Sequence, residues 1–402
     1  MTTAYDEGGV TVHLGDCREV LATLPDASID AVVTDPPYGI GFMGREWDTF
    51  SPAMVSSRRE TLQRRAKTRA EAYPEGGNTA SQGGGVAITY DESTSGNQRF
   101  QAWVEEWARE CLRVLKPGGH VAVFGGSRTF HRLTCGIEDA GFQISDVLTW
   151  LYGSGFPKSR NLDGDWQGWG TALKPGWEPV ILARKPLIGT VAANVTEHGT
   201  GALNIDGCRI AGGESLVRPA VQRHDNVVLG QGLGAGAQVE PAGRWPANVV
   251  LDEVAAELVD KQSGASASTQ RTGDRAGKGT ENAGAFSGQS DILMGHNDFG
   301  GASRFFYIAK ASRAERGHGN IHPTVKPLAL MRWLVRLVTP PGGIILDPFG
   351  GSGTTAVAGY QEGFEVILVE REPEYVEIEI GRIRHSQKHG RQARLELDAA
   401  HA

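Results

Sequence analysis

The chain has 402 residues, 40% of them hydrophobic, enough for a sizeable core and for more than one typical domain, so one principal domain carrying an insertion is expected. Cys17, Cys111, Cys135 and Cys208 lie far apart with no CxxC and no nearby histidine pair, which argues against a zinc site or a disulfide framework; the start MTTAYDEGG lacks a basic and apolar leader and no run approaches the ~18 apolar residues of a membrane span, so a soluble cytoplasmic chain is expected. The net charge of −7 speaks against a nucleic-acid partner, yet residues 158–336 hold 20 basic and 17 acidic side chains, a small positive excess in the middle of an acidic chain.

Val10 to Leu14 reads as a strand, Arg18 to Leu24 as a short helix and Ile29 to Val33 as a second, buried strand. Residues 43–98 break this pattern. A basic stretch from Arg58 to Arg69 is followed by Gly and Ser clusters, the composition of a flexible insertion. Phe100, Trp103, Val104, Trp107, Cys111, Leu112 and Leu115 then mark one face of an amphipathic helix. Lys116-Pro-Gly-Gly119 is expected to end it, and His120 to Phe124 to form a strand. A helix over about 128–139 and strands over Phe142 to Trp150 and Glu178 to Arg184 follow.

Residues 186–303 carry many glycines and few periodic apolar runs, so they read as a separate module or an insertion. Order returns at Arg304 to Ile308, and a helix from Lys326 to Val338 stops at Pro340-Pro-Gly-Gly343. A strand to Leu346, a glycine loop, a helix, a strand to Val369 and a last helix from Glu374 complete the chain. The βα alternation implies a mostly parallel sheet covered by helices.

Two segments carry chemistry. In the first, Asp35-Pro36-Pro37-Tyr38 ends an apolar strand, and its prolines hold the Asp35 side chain and the neighbouring carbonyl in one geometry. An amino group conjugated to a base ring is a poor nucleophile because its lone pair is delocalised. The Asp35 carboxylate and the Pro36 carbonyl are two acceptors for its two hydrogens, an arrangement that favours a pyramidal nitrogen. Tyr38 is suited to stack on a base that has left its duplex. In the second, Asp347-Pro348-Phe349-Gly350-Gly351-Ser352-Gly353-Thr354-Thr355 joins a strand to a helix. It has neither a P-loop lysine nor the GxGxxG spacing, which disfavours a phosphate cradle. Glu370, at the end of the next strand, suits the hydroxyls of a ribose, so an adenosine-bearing cofactor is expected.

Together these motifs resemble the amino-directed DNA methyltransferases, and their order along the chain, catalytic segment first and cofactor loop last, resembles the β-class. The resemblance implies a Rossmann-like class I methyltransferase fold with a mixed, mostly parallel sheet, helices on both faces, circularly permuted motifs and an inserted target-recognition region. It implies a catalytic half at 1–42 and 99–185, a target-recognition region at 186–303, a cofactor-binding half at 304–385 and a tail at 386–402. S-adenosyl-L-methionine is the implied cofactor, with no metal, and DNA the implied partner. A homodimer is left open, and no nuclease partner is evident.

Carried onto this sequence, the resemblance assigns Asp35, Pro36, Pro37 and Tyr38 to the target base, and Asp347, Phe349, Gly351, Gly353 and Thr354 to the cofactor's methionine portion, with Glu370 at its ribose. Thr324 and Lys326, in His322-Pro-Thr-Val-Lys-Pro327, are assigned to its carboxylate, with helix capping the alternative for Thr324. Asp16 and Cys17 are assigned to the adenine, with helix capping the alternative for Asp16. Phe156 and Lys158 are candidates for the flipped base or its backbone, with a plain structural loop the alternative, and Arg209, Arg244 and Asn248 are candidates for base readout. Adenine N6 is the favoured acceptor, since family members with Asp before Pro-Pro-Tyr are mostly adenine enzymes. Cytosine N4 is the alternative, and an inactive DNA-binding scaffold a third reading. No Cys follows a Pro, so the nucleophile of the ring-carbon cytosine methyltransferases is absent.

Overall fold

The computed structural model describes residues 2–40, 94–155, 159–210, 217–218, 238–239, 243–267, 298–310 and 325–400. Most of the 43–98 insertion, together with Phe156, Lys158 and Thr324, lies outside the described residues. Two compact units are present: unit 1 spans Met1–Thr149, Trp177–Leu203 and Ser312–Ala402, and unit 2 spans Trp150–Gly176 and Asn204–Ala311. Among the described residues no helix is long and apolar enough to cross a membrane.

Unit 1 is built on strands β1 (Thr2–Glu7), β2 (Val10–Leu14), β3 (Ile29–Thr34), β4 (Leu115–Phe124), β5 (Gln143–Leu151) and β6 (Trp177–Arg184). Two later strands complete its sheet; with the two-residue ladder β7 (Val217–Arg218) and β8 (Gln238–Val239), and with β9 (Val249–Asp252), β10 (Ser266–Ala267), β11 (Phe299–Gly300) and β12 (Tyr307–Ala309) counted before them, they are β13 (Ile344–Asp347) and β14 (Glu365–Glu370). The order in unit 1 is β1-β2-β14-β13-β3-β4-β6-β5. Strands β2, β14, β13, β3 and β4 run parallel, while β1 and β6 are antiparallel to β2 and β4. All six residues of β3 are buried, which is why Ile29 to Val33 reads as a continuous run instead of an alternating one.

The helices are α1 (Cys17–Leu21), α2 (Thr94–Val114), α3 (Phe130–Asp139), α4 (Val191–His198), α5 (Glu253–Ser263), α6 (Leu328–Val338), α7 (Thr354–Glu362) and α8 (Pro373–Ala400). On α2 the expected face is realised: Phe100, Val104, Trp107 and Cys111 are buried in one core with Val32, Val121, Leu133 and Leu346. Right-handed crossovers dictate where the helices lie. The step β3-α2-β4 moves one way along the sheet and β13-α7-β14 the other, so the two helices fall on opposite faces and the order reverses between β3 and β13. A crevice at the carboxyl ends of the strands is expected at such a reversal.

Three boundaries depart from the sequence reading. Lys116-Pro-Gly-Gly119 does not separate α2 from its strand: Ile29 pairs with Leu115 and Ala31 with His120, so the segment is looped out of β4 as a bulge, with Gly118 at φ 78°. Residues 186–203 belong to unit 1, where Thr190 caps α4, Gly199 ends it at φ 77°, and buried Asn194 donates to the carbonyls of Pro117 and Thr200. The expected tail at 386–402 instead continues α8 as far as Ala400.

Unit 2 contains the parallel pair β9 and β12, with α5 capped by the Asp252 carboxylate at the Ala255 N–H, 2.6 Å. Asp260 on α5 accepts from both the N–H and the hydroxyl of Ser303, at 2.8 and 2.7 Å.

Candidate active site

The two motifs lie at the carboxyl ends of neighbouring strands, since β13 pairs with β3 through Ile345 with Ala31 and Leu346 with Val32. A buried hydrogen bond ties these ends: the Thr34 hydroxyl donates to Asp347 Oδ1 at 2.6 Å across 313 residues of chain. Asp347 also accepts from the Thr355 hydroxyl at 2.6 Å and from the Phe349 N–H at 3.0 Å. Burial pushes its carboxyl up to about 6, against the lowering by these three donors.

Beyond β13 the chain turns sharply, with Gly351 at φ 57° and Gly353 at φ 73°, and Gly353 stands at the start of α7. The Gly351 N–H donates to Glu370 Oε2 at 2.8 Å, while Glu370 Oε1 accepts from the Arg371 and Glu372 N–H groups, both at 2.8 Å. A carboxylate has about four acceptor sites, so Glu370 retains capacity for a hydroxyl. Its carboxyl is raised by burial, against these backbone donors. Phe349 packs on Trp103 and Trp107 of α2 at 5.5 and 5.4 Å between ring centroids. Thr354 is buried and accepts from Arg382 at 2.9 Å.

Asp16 stands beside Glu370, because Leu14 pairs with Glu370 and the Gly15 N–H donates to the Glu370 carbonyl at 2.9 Å. Its carboxylate caps α1 through the Arg18 N–H and also pairs with the Arg18 guanidinium, both at 3.0 Å. Arg18 hydrogen bonding holds it below the usual carboxylate range. Cys17 points into the core, and burial pushes its thiol up to about 12.

Asp35 follows β3, with buried Pro36 behind it. Tyr38 donates its hydroxyl to Asp35 Oδ1 at 2.9 Å and lies 3.2 Å from Glu178 Oε2, and its carbonyl accepts from the Thr129 hydroxyl at 2.6 Å. Burial first, then the charges of Asp35 and Glu178, push the Tyr38 phenol well above its ordinary value, so it stays a donor.

Lys326, which the resemblance assigns to the cofactor's carboxylate, lies at this corner. Its ammonium is 2.8 Å from Asp35 Oδ2, 3.1 Å from Glu178 Oε2 and 3.1 Å from the Tyr38 oxygen. It also lies 4.8 Å from the Phe124 ring centre. Burial alone would discharge it; Asp35 and Glu178 outweigh that and hold it charged, above the usual lysine range.

Glu178 was not singled out as a site residue by sequence reasoning. Its signal is a lone carboxylate at the mouth of the apolar run Val180 to Ala183. Because β6 is antiparallel to β4, with Val180 opposite Phe124, its first residues return to the edge where β3 and β4 end.

In unit 2, Arg209 and Arg244 each meet an acidic side chain and an aromatic ring. Arg244 is buried, paired with Asp298 at 2.5 Å and set over Phe305 at 4.8 Å. Arg209 pairs with Asp206 at 2.8 Å and lies over Trp245 at 5.6 Å. Asn248 is exposed.

A mostly parallel α/β sheet of this order, with both motifs at its reversal point, is the Rossmann-like architecture of class I methyltransferases. The family is given by the chain as a whole: a family model described as DNA methylase, of the N6/N4 group, matches residues 29–380, and the chain belongs to that family. The type II methyltransferase M.HindIII of Haemophilus influenzae is 25% identical over 388 residues, 92% of this chain and 94% of that protein. Among solved structures, the cytosine-N4-specific PvuII DNA methyltransferase matches at 15% identity and TM-score 0.47, covering 95% of this chain and 90% of that one. The M1.HpyAVI–SAM complex matches at 15% identity and TM-score 0.38, covering 93% and 99%.

Proposed function

We propose that the protein is a site-specific DNA methyltransferase that moves a methyl group from S-adenosyl-L-methionine to adenine N6 of double-stranded DNA, with the target base turned out of the duplex. The observation that carries this reading is the Thr34–Asp347 hydrogen bond of 2.6 Å, which joins the ends of the two motif strands. A base held at Asp35 then lies beside a cofactor held on the glycine loop.

The loop residues suit such a cofactor. Glycines with positive φ allow close backbone approach, Glu370 keeps an acceptor site for a ribose hydroxyl, and buried Asp347 is an anion for the cationic methionine end. When bound, S-adenosyl-L-methionine supplies a methyl group already activated by its sulfonium. The Asp35 carboxylate and the Pro36 carbonyl accept the amino hydrogens and turn the nitrogen lone pair toward that methyl. The cofactor would release that methyl to the nitrogen and keep the C–S electron pair on its sulfur. The nitrogen sheds its surplus proton to Asp35, whose side chain is 23% exposed and passes it to water. Proximity and orientation are the protein's contribution. Unit 2 is the proposed reader of the DNA sequence, a role supported by its exposed Trp166, Trp169, Trp245 and Phe299.

The test is incubation with labelled cofactor and unmethylated DNA, followed by digestion to nucleosides. Label in N6-methyladenine is expected. Label in N4-methylcytosine would overturn the choice of base, and no label at all would favour an inactive scaffold. Asp35→Ala is expected to abolish transfer while cofactor affinity, measured by calorimetry, stays within about threefold.

A further inference from the structure

Asp35, Glu178, Tyr38 and Lys326 form one closed cluster at the proposed target-base site. Both oxygens of Asp35 are engaged, Oδ1 by the Tyr38 hydroxyl and Oδ2 by Lys326. Glu178 holds the same two groups through its Oε2. The lysine is nearly buried, with 10% of its side chain exposed, and each carboxylate is 23% exposed. Three charges of alternating sign therefore meet on one phenol.

Consider the cluster without its cation. Two carboxylates would then share a single hydroxyl donor at 2.9 and 3.2 Å, and neighbouring like charges resist simultaneous ionisation. Their mutual repulsion favours uptake of a proton by one of them. A protonated Asp35 offers its own O–H and loses the full acceptor strength that the amino group requires. The surrounding charges add to this tendency: Asp347 on β13 interacts repulsively with Asp35, and behind it lie the carboxyls of Glu370 and Glu379. Lys326 is the ammonium that faces Asp35 among these groups.

We infer that Lys326 and Glu178 are positioning residues for Asp35: Lys326 keeps the Asp35 carboxylate ionised and turned toward the base, and Glu178 holds Lys326 in that place. This rests on the proposed assignment of Asp35 to the target base, and it departs from the expectation that Lys326 serves the cofactor's carboxylate. The segment Val325 to Pro327, which leads into α6, is then part of the base site, with the lysine reaching across the sheet edge to β3 and β6.

The experiment is single-turnover transfer at saturating cofactor across the pH range for the full-length wild type, Lys326→Met, Lys326→Met/Glu178→Gln and Lys326→Arg, with cofactor affinity measured for each. In Lys326→Met the acidic limb of the rate profile is expected to move up by about one pH unit or more, so that transfer lost near neutrality returns as the pH is raised. Cofactor affinity is expected to stay within about threefold. Removing the second carboxylate in Lys326→Met/Glu178→Gln is expected to bring the limb back toward the wild-type position. Lys326→Arg keeps the charge and is expected to leave the limb in place; it carries the test if the methionine variant does not fold, and a displaced limb there overturns the inference. An unmoved limb in Lys326→Met, or a cofactor affinity that falls as far as the rate, also overturns it. Failure of the functional reading is seen separately, as transfer that survives Asp35→Ala.

Discussion

Glu379 on α8 is fully buried, and neither of its carboxyl oxygens has a hydrogen-bond partner among the described residues. It packs under the glycine loop: a Cβ added to Gly350 would collide with its Oε1, and one added to Gly353 would come within 3.1 Å of its Cα. Burial first, then the charges of Glu370 and Asp347, push its carboxyl well above the ordinary range, with Arg382 opposing them. A raised value in the folded state means that the neutral form is preferred there. The folded state is therefore favoured below the unfolded value and loses that advantage as the pH rises through the folded one.

Glu379→Met replaces the carboxyl with an unbranched apolar side chain of similar reach. An unpartnered buried acceptor costs about 1–3 kcal/mol, and the variant is expected to gain about that much at pH near 8. The corresponding rise in melting temperature is a few degrees, from about 2–4 °C per kcal/mol in domains of 150–250 residues. Calorimetric unfolding of both proteins at about pH 5 and about pH 8 reads the difference, which is expected to be larger at the higher pH. A variant less stable than the wild type at both values, or a gain that does not change with pH, would refute the reasoning and mean that the carboxyl is internally satisfied.

Two further outcomes follow from the same energetics. Cofactor affinity, measured by calorimetry, is expected to fall as the pH drops through about 6, where Asp347 takes up a proton and ceases to be an anion; in Asp347→Asn affinity is weaker and this pH dependence is gone. Arg244→Ala removes one of the two cations at the half-buried Asp298 carboxylate, Arg304 remaining 3.4 Å away, and is expected to cost about 1.5–3 kcal/mol in the unfolding of unit 2, read by denaturant titration, with cofactor affinity unchanged. A fully stable Arg244→Ala protein would show that the arginine is available for other work, including contact with DNA.

Most strands and helices of unit 1 were legible because their apolar periods are strong and their ends carry proline and glycine stops, whereas β1, with one buried residue in six, and the short α4 were not. The bulge at Lys116 to Gly119 was not, since a Pro-Gly-Gly run reads as a stop whether the chain turns away or only loops out of a continuing strand. Nor were the fates of Arg209, Arg244 and Lys326 legible. A long cationic side chain is compatible in sequence with solvent, with DNA or with an internal carboxylate, and only the position of Asp206, Asp298 or Asp35 selects among them.

By itself the sequence determined the alternation of strands and helices, the stiffness of the Asp35-Pro36-Pro37 corner and the glycine turn after Asp347, because each follows from local sterics and short-range hydrophobic pattern. Only the tertiary structure decided which charges share the corner. Glu178 comes to the Tyr38 and Lys326 groups that hold Asp35 through the antiparallel return of β6, and Lys326 reaches Asp35 through the segment entering α6, so both depend on strand order. Strand order is set by the packing of the whole sheet, which no local window of the chain contains.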